Sequence, residues 1–297
     1  MNFSPLNRIK YTDKFQKKLG GKYNDEIFNT LNNKYNVIMQ VNNEMEDIKK
    51  KAIEWWKFLF APNWKLSKLD EKSWLLVRTK SFKNWFWDRE NNPASSSKIL
   101  DENWEPQIMY HGSNKKHIKE FKIDTQKLDG TKDGVYFVSN KKKAKEYSLK
   151  WTVYENFLNI KNPLIIDFKW NYRCNFSFQD AQKLLDKTWE ELKLIQKPYY
   201  KTNAIEDIIN TFKDIIWKFK HNDTKWNYAI DDIVKIARQL WYDWIIAKNV
   251  KDIGKFPSLS RKIRNTLHNQ VIVLDPNQIK NTNNIWTFSK NNNNTRE

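Results

Sequence analysis

Cysteine is almost missing from this chain. Cys174 is the only one in 297 residues, so no intrachain disulfide can form, which fits a reducing compartment. Glycine is scarce too. There are six, where average usage would give roughly twenty. None sits in a phosphate-cradling loop or a G-x-G-x-x-G element, so P-loop and dinucleotide-fold chemistry have no motif here. No apolar run approaches the roughly 18 residues of a membrane span. Met1–Lys10 is polar and has no signal-peptide core. The expectation is a chain that works in the cytoplasm, or is delivered into a host cytoplasm, with no membrane partner. The four histidines (His111, His117, His221, His268) and Cys174 show no metal-ligand spacing, so no metal is expected.

What the chain does have is charge and aromatic mass. The net charge is +18, with 39% hydrophobic and 15% aromatic residues. That is enough apolar content for a core. The charge suits a polyanionic neighbour such as nucleic acid, an acidic protein surface or a dinucleotide. It equally suits a Lys-rich composition spread along the whole chain.

The patterning changes along the sequence. Ile27, Leu31, Tyr35, Ile38 and Val41 recur at helical steps, and the pattern continues over 44–60 until Pro62-Asn63 breaks it. Residues 66–86 read as two short helices with an aromatic face. Asn91–Ser97 reads as a linker. From Gln107 strands alternate with helices: strands at 107–110 and 134–138, and a helix over 141–149 capped by Asn140. Further strands are expected over 156–168, at 245–247 and at 270–274, the last turned by Asp275-Pro276-Asn277. Amphipathic helices are expected at 178–196, 204–219 and 229–240. There is no regular βαβ alternation, so the fold class is α+β. The expected domains are a helical extension over 1–90, a linker leading in over 91–106, the main domain over 107–288 and a polar tail over 289–297.

Two short segments carry most of the chemical content: Tyr110-His111-Gly112-Ser113 and Asp133-Gly134-Val135-Tyr136-Phe137. A histidine, a glycine that exposes its backbone and a tyrosine, brought together at strand ends, can grip a flat polar aromatic ligand. Taken singly, His111, Tyr136 and Tyr147 read as readily as structural core residues.

Together with Ala144 and Tyr147 on the next helix and the final strand Asn269–Asp275, these segments resemble the ADP-ribosyltransferase superfamily. The resemblance is to its His–Tyr–Glu branch, which includes diphtheria toxin and the poly-ADP-ribose polymerases. Asp275–Lys280, Thr79–Phe86, Leu100–Asn103 with Glu105-Pro106, and Tyr242-Asp243 are similar to the transferase domains of polyvalent proteins from phages and mobile elements. The resemblance covers roughly 60–290. It implies a split, mostly antiparallel β core with helices around it, and NAD as the substrate. It implies that His111 bonds a ribose hydroxyl and that the Gly112 backbone pairs with the nicotinamide carboxamide. Tyr136 and Tyr147 would sandwich the nicotinamide ring, with Ser113 and Phe137 lining the site. The implied activity is ADP-ribosyl transfer to a protein or nucleic-acid acceptor. The alternatives are a catalytically attenuated module of the same fold that binds NAD or nucleic acid, and a charge-driven nucleic-acid binder.

Two departures stand out. The position of the branch's catalytic glutamate is held by Gln270, which keeps the hydrogen bonds and loses the charge; Gln278 is the other polar candidate. The second departure is tryptophan, with 15 in the chain. Trp64, Trp87, Trp104, Trp241, Trp244 and Trp286 stand where the related domains carry glycine. Either these are UGA codons written as tryptophan and decoded as glycine in the source, or the protein is genuinely Trp-rich. Asn-Gly and Asp-Gly mark turns; Asn-Trp and Asp-Trp do not.

Overall fold

The apolar runs of the second half, such as Trp244–Ala247 and Val271–Val273, show no polar alternation. Such runs require a sheet buried on both faces. The structure is a computed structural model, and it has that sheet. It describes residues 25–86, 96–123, 134–148, 152–167, 242–250 and 268–284, with Val234, Ala237 and Phe288. The expected helices at 178–196 and 204–219, most of that at 229–240, and the tail at 289–297 lie outside the described residues. So do Cys174, Trp87, Trp241, Trp286 and the linker residues 91–95.

Helix α1 (Asp25–Glu54) precedes two short helices, α2 (Glu71–Leu76) and α3 (Lys80–Phe86). Asp70 caps α2 by accepting the Ser73 amide at 2.7 Å. The strands are β1 (Met109–Ser113), β2 (Val135–Val138), β3 (Thr152–Leu158), β4 (Pro163–Asp167), β5 (Trp244–Val250), β6 (His268–Val273) and β7 (Ile279–Asn281). A four-residue helix α4 (Lys141–Ala144) runs into a 3₁₀ turn, Lys145–Tyr147, between β2 and β3. Asn140 caps it through bonds from the amides of Lys142 and Lys143. The helix expected over 141–149 is therefore one turn of α-helix that tightens to 3₁₀.

The seven strands form one sheet in the order β4-β5-β6-β2-β1-β3-β7. Only β4 and β5 are parallel; the other neighbours are antiparallel. Strand alternation divides the side chains. Trp244, Ile246, Val271, Val273, Val135, Phe137 and Met109 pack on one face. Ile245, Ala247, Ile272, Leu164 and Ile166 pack on the other with Val234 and Ala237. Strand β7 was not expected: three residues on the sheet edge carry no readable period.

A third cluster joins the helices to the sheet. Phe82 lies at 5.0–5.7 Å from the rings of Trp85, Phe86, Phe157 and Phe288. Met45, Ile48 and Ala52 of α1 pack against the same cluster. Ser97, at the end of the expected linker, is fully buried and donates to Leu158 O at 2.7 Å. Glu105 is equally buried and pairs with Arg78 at 2.8 Å, whose guanidinium lies 3.6 Å from the Trp74 ring.

Candidate functional site

The ladder between β1 and β2 is joined at one pair, Tyr110↔Val138, whereas β1 runs along β3 for five. The sheet is therefore split beside His111 and Gly112. Across the split, His111 Nδ1 bonds the Tyr136 carbonyl oxygen at 2.8 Å. That bond places the Nδ1 hydrogen toward the carbonyl and leaves Nε2 as the acceptor. Burial pushes the His111 pKa down, and the bond to Tyr136 opposes it, so the ring is neutral at pH 7.

Alternation puts His111 and its neighbours on different faces. His111 sits with Phe121 and Phe137, at 5.0 and 5.5 Å between ring centres. Phe137 is fully buried in the core on that side. Gly112, Tyr136 and Gln270 belong to the opposite face: Gln270 pairs with Val138, and Tyr136 with Ile272. Tyr136 packs against the cluster containing Ile272.

The α4 segment crosses this second face above Gly112. A Cβ built on Gly112 would lie 1.9 Å from Ala144 O and 3.1 Å from Tyr147 Cβ, so only glycine allows the approach. Ser148 Oγ donates to Ser113 O at 2.7 Å and clamps the same two segments. Ser113 thus serves the clamp through its carbonyl, while its hydroxyl accepts the Lys115 amide. Inside the turn, Lys143 and Glu146 form a fully buried ion pair at 2.6 Å. Tyr147 is held over the split, and Gln270 Nε2 donates to its hydroxyl at 3.1 Å.

His111, Gly112, Tyr136, Tyr147 and Gln270 therefore meet around one split in the sheet. Gln278, the other polar candidate, lies away from it: its Nε2 donates to Asp243 at 3.3 Å, beside the β4–β5 end. Three residues were not singled out in the sequence. His268 Nε2 lies 3.2 Å from Gln270 Nε2, and a histidine two residues before a strand glutamine does share its face. Lys143 and Glu146 fall within the helix expected over 141–149; their i,i+3 spacing was the available signal.

A family model described as ADP-ribosyltransferase in polyvalent proteins matches residues 101–288. The chain belongs to this ADP-ribosyltransferase family. The match starts at the loop before β1 and ends at Phe288, so it spans every strand of the sheet. ADP-ribosyltransferases use NAD as their substrate, and the α+β sheet is that expected of a member. No curated protein and no solved structure matches the chain. Among the described residues no helix is long and apolar enough to cross a membrane.

Proposed function

We propose that the chain binds NAD at the split between β1 and β2 and transfers ADP-ribose to a macromolecular acceptor. The observation that carries the reading is the convergence of Tyr147, Gly112 and Gln270 from three distant segments onto one sheet face, with His111 on the other face bonded across the split to the Tyr136 carbonyl. Neutral His111 would accept a ribose hydroxyl at Nε2. The Gly112 backbone would take the carboxamide, and Tyr136 and Tyr147 would flank the nicotinamide; aromatic faces favour its positive charge. The bond between the nicotinamide nitrogen and ribose C1′ breaks, C1′ bonds to the acceptor, and the acceptor's proton leaves to solvent. Catalysis here is positioning and stabilisation of positive charge at the ribose. Gln270 contributes hydrogen bonds without charge, so turnover is slow and single transfers are favoured over chain building. We place this chemistry in a phage or mobile-element protein, with a protein or nucleic acid as acceptor.

Incubation of the protein with labelled NAD and cell extract, followed by protease or nuclease digestion, identifies the polymer that carries label. His111→Ala and Tyr136→Ala are expected to lower labelling by on the order of a hundredfold with the fold intact. Unchanged labelling in both variants would sink the site. A second reading, a silent NAD-binding module, is favoured by the glutamine itself. Gln270→Glu separates the two: wild-type labelling supports transfer, whereas labelling seen only in the glutamate variant supports the silent module.

A further inference from the structure

Two independent features carry inferences. The first deepens the site just proposed and rests on that reading. Gln270 Nε2 has two hydrogens, and two acceptors face it: Tyr147 OH at 3.1 Å and His268 Nε2 at 3.2 Å. His268 is buried on the same face, opposite Val250 of β5. An imidazole nitrogen that accepts needs a donor, which an amide supplies and a carboxylate does not. We infer that His268 is a positioning residue that holds the Gln270 amide toward Tyr147, and that the two residues form a matched pair. Histidine ¹⁵N spectra of the labelled full chain test this without turnover. His268 Nε2 should carry the shift of an unprotonated acceptor and move in Gln270→Ala. A protonated Nε2, or a shift unmoved by the substitution, overturns the pairing. In NAD turnover, His268→Ala should raise KM about tenfold more than it changes kcat, and His268→Asn should restore it. Equal KM in all three proteins also overturns it. A wild type that fails to bind NAD, with the nitrogen shifts as expected, would instead count against the proposed function.

The second feature is a backbone pattern. In residues 61–65 the Ala61 amide donates to Lys65 O at 2.8 Å and the Trp64 amide to Ala61 O at 2.9 Å. In residues 101–105 the Asp101 amide donates to Glu105 O at 2.9 Å and the Trp104 amide to Asp101 O at 3.1 Å. Antiparallel bridges flank both loops, Phe60↔Leu66 and Leu100↔Pro106. Both are three-residue hairpin loops, a type I turn followed by a left-handed residue that forms a bulge. The left-handed slot is the glycine position of this loop. Here it holds Trp64 at φ 62° and Trp104 at φ 64°. The end of α1 repeats the problem. Lys57 N donates to Ala52 O and Trp56 N to Ile53 O, the Schellman pattern. Its left-handed position, again usually glycine, is Trp56 at φ 56°.

A left-handed bulky residue is a true outlier, because its Cβ crowds the next carbonyl. These three tryptophans are also 87%, 63% and 63% exposed. Trp74 and Trp85 behave differently. Both are buried, and their indole N–H groups donate to Phe60 O and Asn277 O. We propose that residues 56, 64 and 104 are glycine in the native protein, through UGA codons decoded as glycine. Of the other left-handed residues, Asn249 and His117 are of types that tolerate the region; nothing in the structure explains Leu59. Trp244 is extended within β5, so its backbone makes no demand for glycine.

The gene and the protein both test this. The codons at 56, 64 and 104 should be UGA, with UGG at 74 and 85. Tryptic peptides of the protein from its source should carry glycine at 64 and 104 and tryptophan at 74. UGG codons, or tryptophan in those two peptides, overturn the proposal. In the full recombinant chain, Trp64→Gly with Trp104→Gly should raise Tm by about 5–10 °C. An unchanged or lower Tm counts against it.

Discussion

Lys280 is fully buried in β7, opposite Phe157. Burial brings its pKa down to about 8. Between pH 8 and the ordinary lysine value the unfolded chain holds a proton that the fold has released. Stability attributable to this residue therefore rises with pH through that window and is missing below pH 8. The Tm difference between wild type and Lys280→Met, followed from pH 7 to 10, should shift in favour of wild type as pH rises; a flat difference would contradict it. His111 obeys the same sign rule at lower pH. Its pKa is lowered by burial, so the fold loses stability as pH falls below about 6.5. NAD affinity should fall only at still lower pH, where the folded ring itself takes a proton and no longer accepts at Nε2. Calorimetric titration at stepwise lower pH, starting from about 7.5, checks that the loss of affinity lags the loss of stability. Lys143 and Glu146 are different again. Each neutralises the other in a fully buried pair, so Lys143→Met leaves a buried carboxylate and should destabilise by about 3–5 kcal/mol in denaturant unfolding.

The turn that carries Tyr147 is built from short-range and long-range parts. Asn140 and the Lys143–Glu146 pair are local and were accessible to sequence reasoning as a cap and an i,i+3 pair. The approach of Ala144 O to Gly112 depends on where β1 lies. Gly112→Ala cannot be accommodated without moving that backbone. It should uncouple Tyr147 from Gln270 and abolish labelling, with a fall in Tm measured by circular dichroism. Asn140→Ala removes only the cap, at about 1 kcal/mol, and should leave labelling measurable. The strands were legible where apolar residues ran unbroken, as in β5 and β6. The three-residue β7 and the shortening of α4 were not, since both are set by neighbours rather than by period.

Across the molecule, the helices before residue 101 share a core with the matched domain. Phe82 of α3 touches Phe157 of β3 and Phe288, and Trp85 O accepts from Asn159 Nδ2 at 2.7 Å. Phe82→Ala should therefore destabilise the whole fold by about 3–5 kcal/mol, seen as one shifted transition in calorimetry. Two transitions, only one of them shifted, would mean that α2 and α3 fold separately. The surface ion pairs Lys49–Glu71 and Lys141–Glu155 contribute little by comparison.

By itself the sequence determined the α+β class, the strands of the sheet centre and the Asn140 cap, which depend on residue type and close spacing. It named His111, Gly112, Tyr136, Tyr147 and Gln270 as candidates through the family resemblance. Only the tertiary structure decided that His111 lies on the face opposite Tyr136 and Gln270, because pairing register assigns faces. It alone brought His268 to Gln270 and separated the buried, bonded Trp74 and Trp85 from Trp56, Trp64 and Trp104. A tryptophan's letter is the same in each case, but its φ angle and its surroundings exist only in the folded chain.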